Sequence, residues 1–147
     1  MPDEVREDDT AMQTYIQALL QRHAYGDARM GIQEAMRNRW RPALLPDYVR
    51  AAQTDSITDQ LKMCDAWQNL GYADDALYTT AGQLCIRAQM WGQAKKNFDD
   101  AIRLNPSIVN YSGLAQALNG MGDTAGAQAA EHQASRLNQV NVLHHDN

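Results

Sequence analysis

The sequence has few of the residues from which catalytic, metal or covalent sites are built. It contains two cysteines and four histidines among 147 residues. The body histidines, His23 and His132, share no helical face with a carboxylate at ligand spacing. His144 and His145 could hold a stray metal ion, but we expect them to belong to a mobile tail. No spacing pairs a nucleophile with a base, and no glycine-rich phosphate loop is present. We therefore predict a protein that is not an enzyme and that carries no metal ion and no cofactor.

Long apolar runs are also missing, and so is a secretory signal. No stretch approaches the ~18 apolar residues that a membrane-spanning helix needs. Cys64 and Cys85 lie in predicted helix interiors without a Cys-x-x-Cys partner, so we expect reduced, buried thiols. These absences predict a soluble, cytoplasmic chain with no membrane span of its own.

Basic charge is scarce. The formal net charge is -5, and most of it comes from the first nine residues, which hold five acids and one arginine, so the rest of the chain is nearly neutral. The one basic-aromatic cluster, "RNRWR" around Trp40, is predicted to be a solvated helix end, where cations suit the helix dipole. A chain without a clustered basic surface is not expected to bind nucleic acid.

Apolar residues recur at helical spacing throughout, while hairpin turns and alternating β-branched residues are absent. The sequence therefore predicts an all-α fold of four helix pairs. The predicted helices are 9–23, 26–39, 43–52, 56–70, 75–89, 92–104, 108–120 and 123–138. An acidic N-terminal tail, 1–8, and a C-terminal tail, 139–147, flank the helical domain, 9–138.

The helix pairs repeat along the chain. Ala94 and Ala127 are 33 positions apart, and Ala28 precedes Ala94 by 66. Each is followed seven residues later by another alanine: Ala35, Ala101 and Ala134. A period near 34 residues made of one helical hairpin is the signature of the tetratricopeptide repeat. The predicted repeats are 9–41, 42–74, 75–107 and 108–138, of which 42–74 is degenerate.

The third repeat resembles the tetratricopeptide family most closely. Its signature places fall on Tyr78, Ala81, Gly82, Cys85, Ala94, Phe98, Ala101 and Pro106. Small residues at Gly82 and Ala94 suit a close helix crossing, and Phe98 fills the wider gap beside it. The resemblance implies an α-solenoid whose hairpins stack on one another.

A narrower resemblance concerns "GQLCIRAQMWGQAKKNFDDAIRLNPS", residues 82–107. This stretch and the order of helices around it are similar to the C-terminal region of the HemY-type protohaem biosynthesis proteins of proteobacteria. The resemblance implies a part in a bacterial inner-membrane assembly linked to haem biosynthesis. Members of that family carry two membrane-spanning helices ahead of the repeats, so this sequence would correspond to a soluble C-terminal portion or a trimmed relative.

The tetratricopeptide resemblance also implies a groove lined by the first helix of each hairpin. Its places in this sequence are Gln13, Thr14, Gln17, Gln21, Thr79, Thr80, Gln83, Arg87, Ser112, Gln116 and Asn119. Amides and hydroxyls of this kind can pair with the backbone of an extended peptide. The predicted function is a non-catalytic protein–protein interaction scaffold whose partner is a protein or peptide.

Two alternatives stay open at this stage. A haem or tetrapyrrole carrier could use His23 beside Tyr25, or a tail histidine, although the Cys-x-x-Cys-His attachment signal is absent. A self-associating module could use the first helix, where Met12, Tyr15, Ile16 and Leu19 leave no polar side. The alternative is that the hairpin buries these side chains itself. Glu131 suits a polar C-terminal cap of the array.

Overall fold

The structure, a computed structural model, describes residues 8–145, with side chains through 141. Within that range the chain is all-helical and has no strand, which confirms the predicted all-α class. Eight α-helices and one 3₁₀ turn are described: α1 Asp9–Gln21, α2 Tyr25–Asn38, the 3₁₀ turn Pro42–Leu44, α3 Leu45–Arg50, α4 Ile57–Asn69, α5 Asp75–Arg87, α6 Trp91–Leu104, α7 Ile108–Gly120 and α8 Thr124–His145.

Most predicted boundaries agree with the observed ones to within two or three residues, and two differ. The predicted helix 43–52 is a 3₁₀ turn followed by the short α3. Pro42 and Pro46 each lie in the first turn of one of these elements, where a helix does not use the backbone N–H that proline lacks. The last helix continues to His145, so residues 139–145 are helical where a tail was predicted. The predicted acidic tail lies outside the described residues except for its last residue, Asp8.

The chain forms two compact units, and the boundary between them along the chain lies between Met63 and Cys64. In the first, α1 packs against α2, and α3 contacts both helices. In the second, α5 packs on α6, α6 on α7 and α7 on α8, and α5 also contacts α7. In the second unit, helices α5 to α8 therefore pack mainly on their neighbours along the chain.

The helices that open three of the predicted repeats begin in the same way. The side chains of Asp8, Asp74 and Ser107 each accept a hydrogen bond from the backbone N–H three residues later, at 2.9, 2.8 and 3.1 Å. These N-cap bonds satisfy amides that have no partner within the helix. The three caps are 66 and 33 positions apart, so the sequence period recurs in the hydrogen bonds.

The turns inside the same three hairpins are also equivalent. His23, Gln89 and Gly122 adopt positive φ angles of 58°, 57° and 82°. In each turn the next backbone N–H donates to a carbonyl five residues back: Ala24 to Leu19, Met90 to Cys85 and Asp123 to Leu118, each at 2.9 Å. This is the bond that closes a helix through a left-handed residue. The left-handed position therefore recurs even where the residue is not glycine.

Phe98 occupies the centre of the second unit and is fully buried. A Cβ atom added to Gly82 would lie 2.8 Å from the Phe98 ring, which confirms the predicted close crossing at Gly82. A Cβ atom on Gly113 would collide with the same ring. One aromatic ring therefore requires glycine on both α5 and α7. Gly113 is outside the repeat signature, so the sequence analysis missed it.

The open ends of two hairpins are held by equivalent polar contacts. Arg39 Nη2 donates to Asp9 Oδ1 at 2.7 Å, and Asn105 Nδ2 donates to Asp75 Oδ2 at 2.9 Å. In both cases the residue just after the second helix reaches the first residue of the first helix.

Arg41 is buried, and its Nε lies 3.6 Å from Asp9 Oδ1. The prediction that the basic cluster around Trp40 is a solvated helix end is therefore wrong for Arg41.

Replacing Gly113 with alanine tests the glycine–phenylalanine contact. We expect Gly113→Ala to lower the free energy of unfolding by about 1–3 kcal/mol because the new Cβ overpacks a buried ring. Gly92→Ala in α6 is the matched control, since nothing lies within 4 Å of its Cβ position, and it should stabilise by about 0.5 kcal/mol. Urea unfolding measures both. Equal effects of the two substitutions would contradict the proposed constraint.

Candidate functional site

Helices α5 and α7 lie side by side in the second unit and carry a set of polar side chains at helical spacing. Arg87, Ser112, Gln116 and Asn119 are exposed, and Gln83 is half-buried. Gln83 and Arg87 are four positions apart on α5. On α7, Ser112 and Gln116 are four positions apart and Gln116 and Asn119 are three apart, so each set lies on one helix face. We call these five residues the α5/α7 polar face.

Two residues predicted for the groove are instead part of the packing. Thr80 is 3% exposed, and its hydroxyl donates to the Ala76 carbonyl at 2.9 Å. The Thr79 hydroxyl lies 2.5 Å from Asn110 Oδ1 and 2.9 Å from the Asp75 carbonyl. Both hydroxyls are used within the unit, which corrects their expected part in binding.

Asn110 is the buried residue that positions the polar face. Its Nδ2 donates to the Asn105 carbonyl at 3.1 Å, and its Oδ1 contacts the Thr79 hydroxyl. Asn105 in turn donates to Asp75 at the start of α5. The network connects α5, the α6–α7 connection and α7, so it sets the spacing of the two helices that carry the face. A polar residue three positions after the Ser107 cap is the sequence signal that was missed.

In the first unit, some predicted groove residues form hydrogen bonds within the unit, and others are exposed. Gln13 Nε2 donates to the Ala43 carbonyl at 3.3 Å, and the Thr14 hydroxyl donates to the Thr10 carbonyl at 3.0 Å. Gln17 and Gln21 are exposed on α1. The accessible members of the prediction in this unit are therefore Gln17, Gln21 and the exposed Thr14.

The two cysteines lie beneath the surface as neutral thiols. Burial raises the pKa of Cys64 to about 12. Burial also raises the pKa of Cys85 to about 11, although a hydrogen bond from Asn97 opposes the rise. Because thiolates are the reactive form, neither residue is an activated nucleophile near neutral pH.

The haem alternative was based on His23 beside Tyr25 and on the histidines near the C-terminus. The exposed His23 directs Nδ1 to the Tyr25 hydroxyl at 2.8 Å, and the two rings meet edge to face with centroids 5.7 Å apart. His132 is exposed on α8, and the side chains of His144 and His145 lie outside the described set. Among the described residues, no group of three or more His, Cys, Asp or Glu could hold a metal ion.

The first helix buries most of the side chains on which the self-association alternative was based. Met12, Ile16 and Leu19 are buried within the described chain, and Tyr15 is 38% exposed. The hairpin therefore accounts for three of the four residues. At the other end of the chain, Glu131 is exposed on α8, where a polar cap was expected.

Comparison with known proteins identifies no relative. No protein-family model, no curated protein and no solved structure matches the chain. In residues 8–145, no helix has the length and apolar character that crossing a membrane requires. The candidate site therefore has to be judged on its own geometry.

Thr79→Val tests whether Thr79 positions α5 against α7. The change removes the hydroxyl but keeps the shape, and it leaves the buried Asn110 Oδ1 without that contact, so we expect a loss of about 1–3 kcal/mol in unfolding free energy. Thr14→Val is the control, since the Thr14 hydroxyl is exposed and bonds only within its own helix. Its effect should stay within about 0.5 kcal/mol. If urea unfolding shows that both substitutions lower the unfolding free energy equally, Thr79 has no positioning role.

Thiol labelling tests the burial of the cysteines. We expect Ellman's reagent to react slowly with the folded protein at about pH 8 and rapidly after unfolding in urea. The raised pKa values mean that the folded state holds its thiol protons more tightly. Stability should therefore fall as the pH rises from the ordinary thiol value of 9.0 through about 11 and 12. Rapid labelling of either cysteine in the folded protein would contradict this description.

Proposed function

We propose that the chain is a tetratricopeptide-type helical array that acts as a non-catalytic scaffold, and that its α5/α7 polar face binds an extended segment of a partner protein. One observation carries this proposal: polar side chains are presented at helical spacing on two adjoining helices while the buried sides of those helices pack the core. The 33-residue recurrence of caps and turns supports the repeat assignment.

The chemistry of the face suits a peptide backbone. Gln83, Gln116 and Asn119 each offer both amide donors and a carbonyl acceptor, which match the alternating groups of an extended chain. Such hydrogen bonds contribute about 0.5–1.5 kcal/mol each, so the face would give modest affinity. Arg87 is the one charged member and suits a carboxylate on the partner.

The biological setting of this proposal is an inner-membrane assembly linked to haem biosynthesis. It is supported by the similarity of residues 82–107 to the HemY-type proteins, and by that similarity alone. In this setting the chain would be the repeat portion of a longer, membrane-anchored protein. The partner would then be another protein of the same assembly.

A double substitution tests the face. We expect Gln83→Ala with Arg87→Glu to reduce recovery of partner proteins from detergent-solubilised membranes about tenfold or more, because it removes an amide and reverses the only charge. The matched control is Gln93→Ala with Lys96→Glu, which makes the same kinds of change at exposed positions of α6. Mass spectrometry of the captured proteins provides the measurement.

Folding has to be followed in parallel, since Arg87 lies in the last turn of α5 and suits the helix dipole there. Circular dichroism and a urea midpoint close to those of the unmodified chain would assign lost recovery to the face. If the α6 control loses the same partners, or if the α5 variant loses none, the polar face is only a solvated surface. Haem-pathway enzymes among the lost partners would support the setting as well.

A further inference from the structure

Two adjoining grooves flank helix α2 in the first unit, on a surface separate from the α5/α7 polar face. One has a volume of about 350 Å³ and includes Tyr15 and Arg37 in its lining. The other has a volume of about 270 Å³ and includes Asp55 and Asp59. Met30 lines both grooves, so it forms the ridge between them.

Met30 is a large apolar side chain that the fold leaves outside the core. It is 68% exposed, whereas Met12 and Met36 of the same hairpin are buried. Tyr15, in the neighbouring groove, is also partly exposed. Methionine adapts to the shape of a contacting side chain, and an exposed methionine on a ridge is suited to packing against a partner.

A glycine lines each groove. Gly31 lines the larger groove, and a Cβ atom placed there would lie 3.0 Å from Ile16 Cδ1 and 3.8 Å from Tyr15 Cε1. Gly26 lines the smaller groove, where its Cβ position is 3.7 Å from Arg29 Nη2. When two helices pack, rows of side chains on one helix fit into the grooves beside a row on the other.

The charge around the grooves is mainly negative. Asp27 lies in the first groove, and Asp55 and Asp59 lie in the second, all exposed. Arg29 is turned toward the protein, where its Nη1 donates to the Ala51 carbonyl at 2.7 Å and to Gln53 Oε1 at 3.1 Å. An occupant would therefore meet carboxylates on both sides of Met30, with Arg37 as the exposed cation.

We propose that this α2 surface docks a basic amphipathic helix of a partner protein. Apolar side chains of that helix would pack on Met30 and on Tyr15 in the larger groove, and its lysines or arginines would face Asp27, Asp55 and Asp59. The apolar contacts supply affinity, and the carboxylates select a cationic partner over an anionic one. The proposal does not depend on the α5/α7 polar face, so failure of one leaves the other intact.

The test uses a fluorescein-labelled peptide of about 18 residues made of leucine and lysine in an amphipathic helical pattern. A second peptide carries glutamate at every lysine position. We expect the lysine peptide to bind by fluorescence anisotropy and the glutamate peptide to show no binding. Raising the salt from about 0.05 to about 0.5 M should weaken binding, because exposed charges are screened. Equal binding of the two peptides would overturn the proposal.

Variants locate the contact. Met30→Ala should weaken binding about fivefold or more, whereas Met121→Ala, which truncates another exposed methionine, should not. Asp55→Asn with Asp59→Asn should weaken binding and flatten its salt dependence. The charge-matched control, Asp65→Asn with Glu131→Gln, changes exposed acids elsewhere and should have little effect.

Two further results would overturn the proposal. If both acid-neutralising pairs weaken binding equally, the peptide responds only to net charge and the grooves are not a docking site. If no peptide binds, and light scattering shows that Met30→Ala instead disrupts association of the protein with itself, the occupant is a second copy of this chain. Circular dichroism of each variant ensures that a loss of binding is not a loss of fold.

Discussion

The second unit depends on one buried aromatic ring placed between two glycines. Phe98 of α6 reaches both α5 and α7, and the glycines opposite it allow these helices to approach the ring more closely than any side chain would permit. Since α5 and α7 carry the polar face, the same contact that packs the core also determines how far apart the exposed amides are. Close packing and the spacing of the polar face are therefore a single constraint.

Buried polar groups supply the second part of that constraint. Asn110 is almost completely buried, and it is satisfied by the Thr79 hydroxyl and the Asn105 carbonyl. Apolar packing tolerates small sliding movements, whereas a buried hydrogen-bonded network requires one register because an unpaired polar group is costly. The network therefore holds the Thr79 hydroxyl within the framework of the unit, and Thr80 is buried beside it.

The two proposed surfaces differ in their chemistry. The α5/α7 polar face offers amides and one arginine, which suit a peptide backbone and a carboxylate, whereas the α2 surface offers an exposed methionine between grooves edged by carboxylates. A scaffold that binds partners through both would distinguish them by charge as well as by shape. This arrangement needs no catalytic group, and the neutral, buried thiols are consistent with a structural role for both cysteines.

The sequence by itself determined the all-α class, the order of the helices and most of their ends, because helical periodicity and caps such as Asp74 and Ser107 are local signals. It also predicted the close crossing at Gly82. Only the tertiary structure decided that Gly113 faces the Phe98 ring and that Arg41 is buried against Asp9. It also decided that the hydroxyls of Thr79 and Thr80 bond within the unit, while Arg87 and Gln116 stay exposed. These outcomes depend on which side chains meet across different helices, and spacing along one helix cannot specify a contact with another.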